Sequence, residues 1–168
     1  MSMSVPGPLP LIRDAVPADR PAIVEFNRLL AAEPEHKVLD PAILDPGVAR
    51  ALAEPDRLRY WVAELPLDNG PWLVGQTAIT REWSDWRNGW IWWLQSVYIQ
   101  ADFRGQGVFK ALYRHIYDQA LASSNVIGLR LYVENSNLRA QQTYQVLGMK
   151  PGGYSVLEEL WLHRSSVD

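Results

Sequence analysis

Residues 93–112, WLQSVYIQADFRGQGVFKAL, constrain the chain most: an apolar strand runs into a polar turn holding Arg104, Gly105 and Gly107, and a helix leaves it. Past Gly107, the residues Val108, Phe109, Leu112, Tyr113, Ile116, Tyr117 and Ala120 recur on one helical face, which makes this the clearest helix in the sequence. N–H groups at a helix start point outward with partial positive charge, and glycines let an anion approach the main chain closely. A phosphate group suits that place.

On spacing alone an ordinary glycine-containing loop before a helix also fits, and so must other phosphate-binding patterns be weighed. A dinucleotide fingerprint would let Glu134, downstream of the next strand, hold a ribose. It fails in detail, because Lys110 occupies the third glycine position and residues 100–104 separate the strand from the glycines. The pattern GxxxxGK[ST] is absent.

Around this centre the chain reads as alternating strands and helices. Residues 9–16 form a weak first strand, and Pro17, Ala18 and Asp19 signal a helix carrying Ile23, Phe26, Leu29 and Leu30 as far as Pro34. A second helix is expected over residues 41–54, interrupted by Pro46 and Gly47. Residues 59–65 alternate as a strand, a turn follows at Asn69, Gly70 and Pro71, and strands over 72–83 and 90–99 should pair antiparallel around SDWRNG. Further on come a strand over 128–133, a helix over about 137–147 stopped by Gly148, and two closing strands within 149–162. The expected fold class is α/β (α+β), a mostly antiparallel central sheet of six to seven strands flanked by about four helices.

Composition narrows the function classes. The chain has 168 residues and no cysteine, which excludes disulfides, thiolate metal sites and a cysteine nucleophile. Its 16 Lys and Arg against 19 Asp and Glu give no electrostatic reason for nucleic acid or an anionic membrane. No internal repeat or linker marks a boundary, so residues 9–168 are expected to form one domain behind a flexible tail over 1–8. That tail lacks the apolar run of a secretory signal, and no run of about 18 apolar residues occurs, so the expected location is the cytoplasm. His36, His115 and His163 are scattered without HExxH spacing, and no GxSxG is present, leaving metal and serine-hydrolase chemistry unsupported.

The residues Arg104, Gly105, Gln106, Gly107 and Val108 match [QR]xxGx[GA], and Asn137, Ala140, Tyr144, Gly148 and Met149 match NxxAxxxYxxxG plus an apolar residue. Together, in this order, they resemble the GNAT acetyltransferase superfamily over roughly residues 9–162. Phe109 stands where that family usually has a small residue. The resemblance implies acetyl-CoA as co-substrate, its pantetheine arm and acetyl carbonyl held by main-chain groups of Val97, Tyr98 and Ile99 in a cleft between the strand ending near Ile99 and the strand over 128–133. It implies pyrophosphate on the amides of Arg104, Gly105, Gln106, Gly107, Val108, Phe109 and Lys110, a cofactor contact from Asn137, and Tyr144 as the acid that protonates the departing thiolate.

Acetyl transfer needs a neutral amine, a polarised carbonyl and a proton for the leaving group. A phenol near pKa 10 and a thiol near 8.5 are close enough for Tyr144 to serve when well placed; without the motif it would read as a core aromatic. Gln95 and Ser96 stand where many relatives carry an acid, so the base is open among Glu82, Asp85, Glu33 and Glu158, or the amine arrives neutral. Trp83, Trp86, Trp90, Trp92 and Trp93 crowd one hairpin, where strand alternation sets Trp90, Trp92, Leu94 and Ser96 on one face and Ile91, Trp93, Gln95 and Val97 on the other. Those rings read either as an acceptor pocket aided by Glu82 and Asp85 or as core and subunit-interface packing, and a homodimer is compatible with the second. The reading that results is N-acetylation of a primary amine, small or peptidic, with a non-catalytic acyl-CoA-binding module as the rival.

Overall fold

The computed structural model of the chain describes residues 9–161, so the tail expected over 1–8 lies outside the described residues. The chain forms two compact units, one ending at Tyr132 and the other beginning at Val133. The first is built on a sheet of five strands in chain order: β1 Leu11–Asp14, β2 Arg59–Leu67, β3 Gly70–Ser84, β4 Gly89–Ile99 and β5 Val126–Leu131. Pairings β1 to β4 are antiparallel and β4 with β5 is parallel. The mostly antiparallel mixed sheet and the four helices agree with expectation, but the count of six to seven strands is corrected to five among the described residues. The closing strands expected over 149–162 are not there: residues 149–161 contain no strand, and 162 lies outside the described residues. Alternation creates a strand only where a neighbour accepts its ladder of hydrogen bonds, and Tyr154, Val156 and Leu157 remain exposed.

Alternation along β2 assigns the two cores. Tyr60 and Val62 join Ala78 beneath Ile23 of α1 Arg20–Glu35 and Val48 and Ala51 of α2 Pro41–Ala53. Trp61, Ala63 and Leu65 join Val74, Ile79 and Trp92 beneath Val108, Leu112, Ile116 and Ala120 of α3 Val108–Ala122. Helix α2 runs unbroken through Pro46 and Gly47, against the interruption expected. Pro46 forfeits a single helical hydrogen bond, while the Asp40 carboxylate caps the helix by accepting from Ala42 N at 2.9 Å and burial of Val48 and Ala51 holds the following turn.

The tryptophan hairpin divides between core and surface. Trp92 is buried in the α3-side core, Trp90 is half-buried and meets Trp83 edge to face at 5.1 Å, and Trp83 and Trp86 are exposed. Its turn is closed by Asn88 at φ +49. In the second unit α4 Leu138–Val146 is capped by Asn137 Oδ1, which accepts from Ala140 N at 3.0 Å, and the chain leaves it through Gly148 at φ +94. Among the described residues no helix is long and apolar enough to cross a membrane.

Candidate functional site

Strand β4 changes character midway. From Trp90 to Leu94 it pairs with β3 on one side and β5 on the other, the last parallel match being Leu94 with Leu131. Beyond Leu94 only the β3 ladder continues, and its register slips between Gln76 and Ala78: Ala78 faces Gln95 and Gln76 faces Tyr98. Ser96 and Val97 thus sit two against the single residue Thr77, a β-bulge, and Ser96 takes a left-handed φ of +50. The strand expected over 128–133 is found at Val126–Leu131 and ends opposite Leu94, so Val97, Tyr98 and Ile99 lie on a part of β4 that has no β5 neighbour.

The bulge also corrects the facing of β4. Simple alternation put Ser96 with Trp90, Trp92 and Leu94, but the extra residue inverts the phase. Tyr98 packs on Phe26 of α1, with ring centroids 5.4 Å apart, and Ile99 packs against the α3-side core. Two side chains of β3, which sequence reasoning passed over, grip the bulge: Gln76 Nε2 donates to the Ser96 carbonyl and Thr77 Oγ1 to that of Gln95, each at 3.3 Å. The signal available was a polar pair, Gln76 and Thr77, between the apolar Leu73 and Val74 and the apolar Ala78 and Ile79.

The glycine turn follows directly. Gly105 and Gly107 adopt φ +74 and +87, and no atom lies within 4 Å of where a Cβ would stand on either. Such angles suit glycine, and the space above both is open. Gly107 begins α3, whose first bond runs from Ala111 N to Gly107 O at 3.0 Å, so the amides of Val108, Phe109 and Lys110 belong to the turn that has no helical acceptor. Val108 anchors the turn in the core, whereas Arg104, Gln106 and Lys110 are exposed. Gln106 Nε2 donates to Asp102 O at 2.7 Å, bracing the loop. Open glycines at a helix start fit a diphosphate.

Arg104 does not project freely. Its Nε donates to Ile99 O at 2.9 Å, and its Nη2 to Glu33 Oε2 at 2.6 Å, with the guanidinium 5.4 Å from the Tyr98 ring centre. Tyr98 Oη donates to the other Glu33 oxygen at 2.8 Å. Burial alone would raise the Glu33 carboxyl, but the bonds from Arg104 and Tyr98 outweigh it and hold it below the usual carboxylate range. Desolvation, then the facing carboxylate, pushes the Tyr98 phenol up to about 12. As a base candidate Glu33 is therefore weakened. Glu82 is likewise engaged: Arg130 Nη1 donates to it at 2.9 Å and Trp93 Nε1 to its second oxygen, while Tyr132 lies tilted against Trp93 with ring centroids 4.5 Å apart. Asp85 accepts from Trp86 N and is exposed, as is Glu158 of the second unit.

Val97 through Lys110 are thus brought together in the first unit. Asn137 and Tyr144 belong to the second, on one short helix: Asn137 spends its Oδ1 on the cap, and desolvation raises the half-buried Tyr144 phenol above its ordinary value. Two hollows of about 400 and 330 Å³ are both lined by Asp56, Arg59 and Arg81; the second is also lined by Trp90 and Trp92 of the tryptophan hairpin, and neither is lined by a residue expected to hold the cofactor. Among the described residues no three His, Asp or Glu converge as metal ligands.

Comparison with known proteins agrees with this geometry. Residues 23–149 match the model of the Acetyltransferase (GNAT) family. A possible acetyltransferase from Clostridium difficile 630 is 37% identical, with 93% of this chain and 100% of that one covered at a TM-score of 0.82. Two others share the fold at lower identity. Glucosamine-6-phosphate N-acetyltransferase from Arabidopsis thaliana is 17% identical, with 92% and 99% covered at a TM-score of 0.69. Ribosomal-protein-alanine N-acetyltransferase from Brucella melitensis biovar Abortus 2308 is 16% identical, with 90% and 99% covered at 0.70. No protein of curated function matches the chain.

Proposed function

Because this chain belongs to the Acetyltransferase (GNAT) family, we propose that it is an acetyl-CoA-dependent N-acetyltransferase acting on a primary amine, with residues 9–168 working as one domain in the cytoplasm. The observation that carries the reading is that β4 runs on past Leu94 with no β5 partner, β5 ending at Leu131, beside a bulge and directly ahead of two open left-handed glycines at a helix start. Acetyl-CoA supplies the acetyl group as a thioester. In this reading the amides of residues 105–110 hold its diphosphate, that of Arg104 being engaged with Ala101 O at 3.2 Å, the main chain of Val97 to Ile99 orients the arm and the carbonyl, and Asn137 contributes through its amide nitrogen.

Tyr144 is assigned the proton for the departing sulfur. Its raised phenol remains protonated at neutral pH, as an acid must be before it donates. The base is assigned to no carboxylate, since Glu33 and Glu82 are both tied to arginines; the amine enters already neutral. The same absence of a committed base supports the second reading, an acyl-CoA-binding module without turnover. Thiol release from acetyl-CoA, followed across a panel of small and peptidyl amines, separates the two: an enzyme gives amine-dependent release, and binding without release leaves only the module.

A further inference from the structure

Gln76 is completely buried, and its amide nitrogen serves two acceptors: Asn27 Oδ1 on α1 at 2.7 Å and the Ser96 carbonyl on the bulge at 3.3 Å. Asn27 in turn donates to Tyr60 Oη on β2 at 3.1 Å. A line of buried polar groups therefore joins β2, α1 and β3 to the one place where β4 leaves its register. Thr77, 1% exposed, holds the preceding carbonyl from the opposite side of β3. At 3.3 Å each bond to the bulge is long, but two successive peptides held from one strand restrict the bulge more than either does alone.

Stability does not account for Gln76. Its Oε1 is buried with no hydrogen-bond partner, and an amide half unsatisfied in the interior is costlier than an apolar side chain of the same shape. The geometry offers another reason. All peptides here are trans, so the C=O and N–H of one unit point in opposite directions. With the Ser96 carbonyl aimed at Gln76, the Val97 N–H of the same peptide is turned away from β3, and beyond Leu94 no β5 residue is in register to receive it.

We infer that Gln76 is a positioning residue: by holding the Ser96 carbonyl it aims the Val97 N–H at the thioester carbonyl oxygen of acetyl-CoA, where negative charge develops during transfer. The inference rests on the acetyltransferase reading, and it narrows the oxyanion donor from the bracket Val97 to Ile99 to Val97 alone. Asn27 and Tyr60 keep the Gln76 amide from rotating.

Gln76→Met keeps the length and removes the donor. Its urea midpoint is expected at or above that of the parent, and its calorimetric affinity for CoA within about twofold, since the diphosphate is held elsewhere. With the best amine, kcat should fall roughly tenfold or more while KM for acetyl-CoA stays within about threefold. The infrared carbonyl band of bound acetyl-CoA, labelled with carbon-13 at the carbonyl, should move from a lowered frequency toward its value in water. Unchanged kcat and band overturn the inference, as does a loss of CoA affinity equal to the loss of kcat, which would mark general structural support. If Gln76→Met does not fold, Gln76→Glu and Thr77→Val are read in the same assays. The band also separates the two failures: a parent that binds acetyl-CoA with no band shift sinks the role of Gln76 alone, whereas a parent that ignores CoA sinks the transferase reading and this inference with it.

Discussion

One strand, β4, holds two halves built on opposite principles. Its first half, Trp90 to Leu94, is laddered on both sides, packs Trp92 into the α3-side core and buries Leu94. The second, Gln95 to Ile99, is laddered on one side only, carries a left-handed serine and is gripped by side chains of its neighbour. A backbone outlier of that kind costs on the order of 1–3 kcal/mol and persists only where its surroundings over-determine it. The first half supplies the surroundings. Main-chain groups are left without a β5 partner here because pairing stops partway along a strand whose other end is anchored on both sides.

Mutations that touch one half and not the other break this comparison most directly. Trp92→Ala, at a side chain 7% exposed, should lower unfolding free energy by about 3–5 kcal/mol in urea denaturation. CoA affinity of the protein that remains folded should hold within a few fold. If affinity collapses in step with stability, the halves are not independent.

The reciprocal change lies in the turn that the second half feeds. Gly107→Val forces a β-branched residue to φ +87 and fills the open space above the glycine. We expect CoA affinity at least ~100-fold weaker by calorimetry, about 2.7 kcal/mol, against a stability loss of about 1–2 kcal/mol. Gly105→Val, at φ +74, should behave alike. A folded Gly107→Val protein with unaltered affinity would remove the diphosphate from this turn.

The two halves were unequally legible. The turn could be read because its signals are local: paired glycines, an apolar strand before them and a helical stripe after. The β2 to β4 meander was equally open, since Gly70 and Asn88 sit where the chain must reverse. The bulge was not. Nothing in Gln95, Ser96 and Val97 distinguishes a residue at positive φ from one that continues the alternation, so parity could not foresee the change of phase that sets Tyr98 against α1; register belongs to a pair of strands. Glu33 was a candidate base by residue type alone, and its partners Tyr98 and Arg104 are far away in the chain. Helix α2 likewise outlasted its Pro46 because tertiary burial outweighed a local breaker.

A smaller effect is expected from Tyr144→Phe, which removes a hydroxyl and little volume. If the phenol protonates the departing thiolate, kcat should fall about 10–100-fold with KM for acetyl-CoA nearly unchanged in steady-state assays. An unaffected kcat would return Tyr144 to an ordinary packing role, and would leave the first unit carrying every chemical function the chain has.

The smallest effect tests how the second half of β4 is tied to α1. Glu33 titrates below its ordinary value in the folded chain, so its contribution to stability is full above about pH 5 and is lost as pH falls through the lowered native value, where the unfolded chain binds the proton first. Tyr98 moves the other way: raised from 10.0 to about 12, it contributes fully below pH 10 and loses that contribution as pH rises toward 12. The Arg104–Glu33 pair is about two-fifths exposed on both sides, so solvent screening keeps its share under about 1 kcal/mol. Urea midpoints measured from pH 3 to pH 11 for the parent and for Glu33→Gln should therefore differ modestly on the neutral plateau and converge at the acid end. On the alkaline limb both proteins should begin to lose stability near pH 10, and the variant should lose less by pH 11 relative to its own plateau, because without the carboxylate the native Tyr98 phenol lies closer to its ordinary value. Parallel curves across the whole range would mean that Glu33 does not hold Tyr98 and Arg104 in solution, and that the bulge relies on Gln76 and Thr77 alone.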